Sequence, residues 1–135
     1  MSHPTDALPS VPGIDAGAGD LNRQPDCLFC KIVAGEIASA PVWADEHAIA
    51  IADIAPKAPV HLLVIPRRHV RDIVQAGADG QLSAAMLNAV AQVARQQGLE
   101  AFNTVFNTGA AAGQSVFHLH AHVLAGKNVW AGATD

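Results

Sequence analysis

The spacing of apolar residues changes several times along the chain, and each change predicts an element. "DCLFCKIVAGEI", Asp26 to Ile37, is mostly apolar, with Asp26 as a candidate N-cap and Gly35 as a stop. It predicts a short helix over roughly 27–34. "PVWADEHAIAIADI" holds two apolar runs parted by Ala-Asp-Glu-His, a hairpin pattern with strands near 41–44 and 48–53. After the proline break "APKAP", the β-branched run "VHLLVIP" predicts a third strand over 60–65, stopped at Pro66. The period then lengthens. Leu82, Met86, Ala89, Val90 and Val93 recur at helical spacing between Asp79 and Gly98. "AFNTVFN" and "VFHLHAHVLA" return to strand spacing, separated by the glycine-containing loop "TGAAAGQS". The order is helix, three strands, long helix, two strands. That favours an α+β sheet over a doubly wound parallel one.

Residues 1–25 show no period and are rich in Pro, Gly, Ala, Ser and Asp, so they read as a flexible tail. Residues 26–135 read as one domain. The chain of 135 residues, half of them apolar, is long enough for one real core. A net charge of −4 argues against a broad surface that grips nucleic acid by its backbone. Two cysteines are too few for a secreted disulfide scaffold. No signal-peptide pattern and no apolar run of spanning length is visible, so the expectation is a cytoplasmic protein without a membrane partner.

The candidate chemistry gathers in "GQSVFHLHAHVLAG". His118, His120 and His122 occupy alternate positions, so on a strand they share one face with Val116 and Leu124. Phe117, Leu119, Ala121 and Val123 then face the core. Three uses of such a row compete: a solvated strand face, metal ligation, and metal-free attack on phosphorus. The preceding loop carries Asn107, Gly109, Gly113, Gln114 and Ser115, which suits a phosphate pocket. An ordinary connecting turn has the same composition.

The segment resembles the signature of the histidine-triad (HIT) superfamily: three histidines alternating with apolar residues, preceded by Gly-Gln-Ser. "DCLFCKIVAGEI", "ADIAPKAPVHLLVIPRRH" and "FNTGAAAGQS" are similar, in order and spacing, to blocks of its nucleotide-binding branch, from about Asp26 to about Gly126. The resemblance implies a five-stranded, mainly antiparallel sheet carrying a long helix and a short N-terminal helix, paired as a homodimer. It implies a purine nucleoside monophosphate or phosphoramidate as ligand. It also implies a hydrolase that forms a nucleotidyl-histidine intermediate and cleaves nucleoside 5′-phosphoramidates. On these positions His120 is the nucleophile and His122 holds phosphate oxygens. Ser115 passes a proton to the leaving amine. His61 supports the histidine network. Phe29, Ile32 and Ile54 wall the base, Asp53 accepts ribose hydroxyls, and Asn107, Gly113, Gln114 and Ser115 line the phosphate pocket. Cys27, Cys30, His69 and His118 match a structural Cys₂His₂ zinc site, with no catalytic metal expected. Trp130 stands where the branch carries a tail that shapes the partner's site. Two alternatives remain at this level: a dinucleoside polyphosphate hydrolase, and a nucleotide- or metal-binding regulatory module.

Overall fold

The computed structural model describes residues 26–127, so the predicted tail at 1–25 and Trp130 lie outside the described residues. The chain opens with helix α1 (Leu28–Val33), then strands β1 (Trp43–Ala44), β2 (Ala48–Ala52) and β3 (Val60–Pro66). Helices α2 (Ile73–Gly77) and α3 (Gly80–Gln96) follow, then β4 (Asn103–Val105), a 3₁₀ turn (Ala110–Ala112) and β5 (Ala121–Ala125). The five strands form one antiparallel sheet in the order β1-β2-β3-β5-β4. This is the α+β architecture that the sequence predicts.

Each face of the sheet has its own helix. Ala48, Ala50, Leu62, Val64, Ala121 and Val123 are buried with Leu82, Met86, Ala89, Val90 and Val93 of α3. The small alanines of β2 let that long helix sit close. On the opposite face Ile49, Leu63 and Ile65 pack with Phe29 and Val33 of α1. Cross-strand register carries this second face into the chemistry. Leu63 of β3 lies opposite His122 of β5, and His61 lies opposite Leu124. The histidines therefore emerge beside α1, on the face that α3 does not cover.

Turn chemistry sets that register. Asp45 Oδ1 accepts from the amides of His47 and Ala48 at 2.8 and 2.9 Å, closing the β1–β2 hairpin. At the other end of β2, the Asp53 amide donates to the His61 carbonyl at 2.9 Å, and Asp53 Oδ1 accepts from the Ala55 amide at 2.8 Å. Gly126, just after β5, has φ +94, and a Cβ there would lie 2.8 Å from Pro59. Only glycine lets β5 end against that proline-bounded loop.

Three expectations need correction. The cap of α1 is Cys27, not Asp26: Cys27 Sγ accepts from the Cys30 amide at 3.1 Å. The strand expected over 116–125 is paired only from Ala121. The chain bends at 116–118, where it meets a different neighbour: the Leu119 amide donates to the Val70 carbonyl at 2.7 Å. Two-residue alternation stops there, so Phe117 is 45% exposed instead of packed, while Leu119, Ala121 and Val123 are buried. Helix α2 was absent from the expected element order. Asp72 caps it, accepting from the Gln75 amide at 3.1 Å, and five residues are too few to show a helical period.

Candidate active site and metal centre

Among the described residues, two clusters of nitrogen, sulfur and oxygen donors lie on the α1 face. One gathers Cys27, Cys30, His69 and His118, and the other gathers Asp53, His61 and His122. The hydrogen bond on the far nitrogen of each histidine tells them apart.

His118 is fully buried, and its Nε2 lies 2.8 Å from the Pro66 carbonyl oxygen. A carbonyl only accepts, so Nε2 carries the ring proton and Nδ1 presents its lone pair. That Nδ1 lies 3.3 Å from Cys27 Sγ, 3.4 Å from Cys30 Sγ and 3.1 Å from His69 Nδ1. His69 Nδ1 lies 3.3 Å from Cys30 Sγ. Bond lengths of about 2.0–2.3 Å to a tetrahedral zinc give edges of roughly 3.3–3.8 Å between ligands. The spacing, the donor set and the His118 tautomer all fit such an ion. Burial pulls the His118 pKa down to about 4, and burial also lowers that of His69, so both rings are neutral. The ligands come from α1, the β3–α2 loop and the segment before β5, so an ion here would tie three elements together.

The second cluster has the opposite proton arrangement. The Lys57 amide donates to His61 Nδ1 at 3.0 Å. His61 Nε2 must then carry the ring proton, which leaves it no lone pair for a metal. It lies 2.9 Å from His122 Nδ1 and 3.4 Å from Asp53 Oδ2. His122 Nδ1 therefore accepts, and His122 Nε2 bears a proton. His120 has a third pattern. Its Nδ1 donates to the His118 carbonyl at 2.8 Å, so its Nε2 holds the free lone pair. The rings of His120 and His122 lie 5.0 Å apart, and the edge of Phe29 meets His120 at 4.9 Å. One imidazole offers a lone pair and its neighbour offers an N–H. That pairing suits attack on an electrophile whose oxygens need a donor.

Burial is the main force on these rings. It lowers the pKa of His120, and it lowers His122 to about 4 with help from His120 and His61. His61 is also lowered by burial, against the pull of Asp53. An unfolded histidine titrates near 6.5, so between about 4 and 6.5 the unfolded chain binds protons that the folded chain refuses. Stability is therefore full above pH 6.5 and falls as the pH drops toward 4. Urea midpoints at pH 7.5, 6.5, 5.5 and 4.5 should decrease in that order. The His122→Gln variant should lose less over the same range. A wild-type midpoint that is flat or rises on acidification contradicts this ionisation scheme.

The structure places the other predicted residues variously. Phe29 is buried beside His120, and Ile32 packs at the edge of the same cluster. Asp53 stands at the end of β2 beside His61. Ile54 is fully exposed in the described chain. Gly113 has φ +95 and closes the 3₁₀ turn, and Asn107 Nδ2 donates to the Ala112 carbonyl at 3.0 Å. Ser115 is exposed at the end of this loop. Gln114 is buried, and its amide is fully spent within the fold. Its Oε1 accepts from the Gly109 amide at 2.8 Å, and its Nε2 donates to the carbonyls of Arg71 and Val116 at 2.8 and 3.1 Å. Gln114 thus clamps the loop. The backbone partners Lys57, Pro66 and His118 escape sequence reasoning, because no side chain marks a donating amide or an accepting carbonyl.

Among the described residues no helix is long and apolar enough to cross a membrane. The HIT domain family matches residues 34–129. An uncharacterized HIT-like protein of Synechococcus elongatus is 43% identical over 106 residues, 77% of this chain and 93% of that one. Protein HitA of Neisseria gonorrhoeae is 42% identical over 101 residues, 73% of this chain and 94% of its own length. Among solved structures, a HIT family hydrolase from Clostridium thermocellum superposes with a TM-score of 0.73 at 38% identity, covering 78% of this chain and 95% of the other. A histidine triad nucleotide-binding protein from Candida albicans gives 0.70 at 28% identity, with 76% of each chain covered. The sheet order, the row of three histidines and these matches agree: the chain belongs to the HIT domain family.

Proposed function

We propose that this chain is a hydrolase of nucleoside 5′-phosphoramidates, acting in the cytosol as a homodimer on purine nucleotides. The observation that carries the reading is the proton arrangement of the row. His120 is held by the His118 carbonyl with its Nε2 lone pair free, beside a His122 that presents an N–H.

In this reading His120 Nε2 forms a bond to the α-phosphorus while the phosphorus–nitrogen bond to the leaving amine breaks. The bonding pair departs with the amine, and Ser115 delivers the proton that neutralises it. His122 Nε2–H donates to a phosphate oxygen and holds the charge that builds there. The His120 ring becomes cationic when bonded to phosphorus, and its Nδ1–H stays on the His118 carbonyl throughout. Water then attacks phosphorus and gives one proton to Ser115, restoring its hydroxyl, while the Nε2–phosphorus bond breaks and the pair returns to Nε2. Phe29, Ile32 and Ile54 flank the base, and Asp53 accepts from the ribose. Asn107, Gly113 and Gln114 shape the loop that receives the phosphate, with Gln114 acting through the backbone it clamps. Cys27, Cys30, His69 and His118 hold a structural zinc. It ties α1 and its Phe29 to the sheet and takes no part in the bond changes.

The test compares adenosine 5′-phosphoramidate with a diadenosine polyphosphate at equal concentration. Faster hydrolysis of the phosphoramidate, by tenfold or more in kcat/KM, is the expected result. The reverse preference overturns the reading in favour of dinucleotide cleavage. Nucleotide binding without turnover of either substrate assigns a binding role instead.

A further inference from the structure

We propose that the backbone amide of Lys57 is a positioning group for the histidine row, fixing the ring proton of His61 and, through it, that of His122. The argument is one of donors and acceptors. The Lys57 N–H points at His61 Nδ1 at 3.0 Å, and a peptide amide can only donate. His61 Nδ1 must accept, so its proton sits on Nε2. That nitrogen lies 2.9 Å from His122 Nδ1, which must accept in turn. His122 is left with its proton on Nε2, the nitrogen not spent on His61. Reversing the first bond would reverse the whole chain. With His61 protonated on Nδ1, His122 would donate from Nδ1 and turn a lone pair toward the substrate.

The same amide keeps His61 uncharged, because an imidazolium would set two N–H groups against each other. His61 is 4% exposed, and burial acts in the same direction. Asp53 Oδ2, 3.4 Å from His61 Nε2, lies on the protonated side and reinforces the tautomer.

The loop is built to hold this amide still. Pro56 and Pro59 bracket Lys57 and Ala58 and fix φ at both ends. The Asp53 amide and the His61 carbonyl close its base at 2.9 Å. Pro59 rests on Gly126, where even a methyl group would collide. The prolines, the closed base and the Gly126 contact thereby restrict how far the Lys57 amide can move from the buried ring.

The tautomer measurement does not depend on any substrate; only the catalytic consequence rests on the phosphoramidate reading. The experiment is a long-range proton–nitrogen NMR spectrum of the full chain labelled with nitrogen-15 in histidine, at pH 7.5. His61 and His122 should both appear as Nε2–H tautomers. Lys57→Ala keeps the amide and should keep both signatures. Lys57→Pro deletes the donor. In a folded variant, His61 and His122 should shift toward Nδ1–H or a mixture, and kcat should drop by about 10- to 100-fold with KM changing less. An Nδ1–H signature at either ring in the wild type overturns the proposal. So does a folded Lys57→Pro variant with both tautomers intact. If Lys57→Pro does not fold, the wild-type spectrum decides alone.

Discussion

Replacing His120 with alanine should abolish turnover and leave the protein folded. The loss expected for the proposed nucleophile is about 10⁴-fold or more in kcat, on the order of 5 kcal/mol of barrier. No neighbour can take its place. His118 has its Nε2 on Pro66 and its Nδ1 among the thiols, and His61 has both nitrogens engaged. His122 presents an N–H where a lone pair is needed. The fold should survive because His120 contributes one bond to a carbonyl and an edge contact with Phe29, and it is only partly buried. A loss of about 1 kcal/mol in stability is the scale to expect. His122→Ala should behave differently. It removes a donor from the developing charge, a loss nearer 10²- to 10³-fold, and still permits the covalent adduct. The comparison needs single-turnover rates, an alkaline quench to preserve a phosphorus–nitrogen adduct, and a thermal melt of each variant. Turnover by His120→Ala within tenfold of wild type, with a normal melt, would remove His120 from the chemistry.

Much of this was legible in the sequence, and what was hidden has a physical pattern. The long helix and the first three strands followed from spacing, because one buried face imposes its period on the residues that fill it. The histidine row was visible for the same reason. The end of its strand was not, because pairing stops where the Leu119 amide finds the Val70 carbonyl, a contact across 49 residues. The metal quartet came from resemblance. Its members are drawn from position 27 to position 118, and no local rule joins them. Gln114 shows a different limit. Counted by composition it is a donor for phosphate, yet the loop's own backbone uses every polar atom of its side chain. The groups that decide the ring protons were the least legible. The carbonyls of Pro66 and His118 are common to every residue type, and the amide of Lys57 to every type but proline. Sequence named the imidazoles, and only geometry could say which nitrogen of each carries the proton.

That distinction bears on the second large effect, removal of metal. The protein as purified should carry one zinc per chain, and a strong chelator should lower its melting temperature by on the order of 10 °C or more. Cys27, at the cap of α1, and buried Cys30 lie 3.3–3.4 Å from the Nδ1 atoms of His69 and His118, which lie 3.1 Å from each other. Four donor atoms this close, with the His118 Nδ1 lone pair turned among them, suit a cation at their centre. Without one, α1 is held mainly by Phe29 and Val33, and a helix of six residues has little stability of its own. Activity should fall along with stability, through His118. Its ring sits in the metal cluster and its carbonyl orients His120, so a loosened His118 loosens the nucleophile. Cys30→Ala should reproduce both losses, whereas a catalytic ion would give lost activity with an unchanged melt. Metal content measured by mass spectrometry, set beside melts with and without chelator, separates these outcomes. Metal-free protein that melts at the same temperature before and after chelation would contradict a structural ion. The two histidine clusters would then have to be reconsidered together, because the carbonyl that fixes His120 belongs to a residue whose own ring faces the thiols.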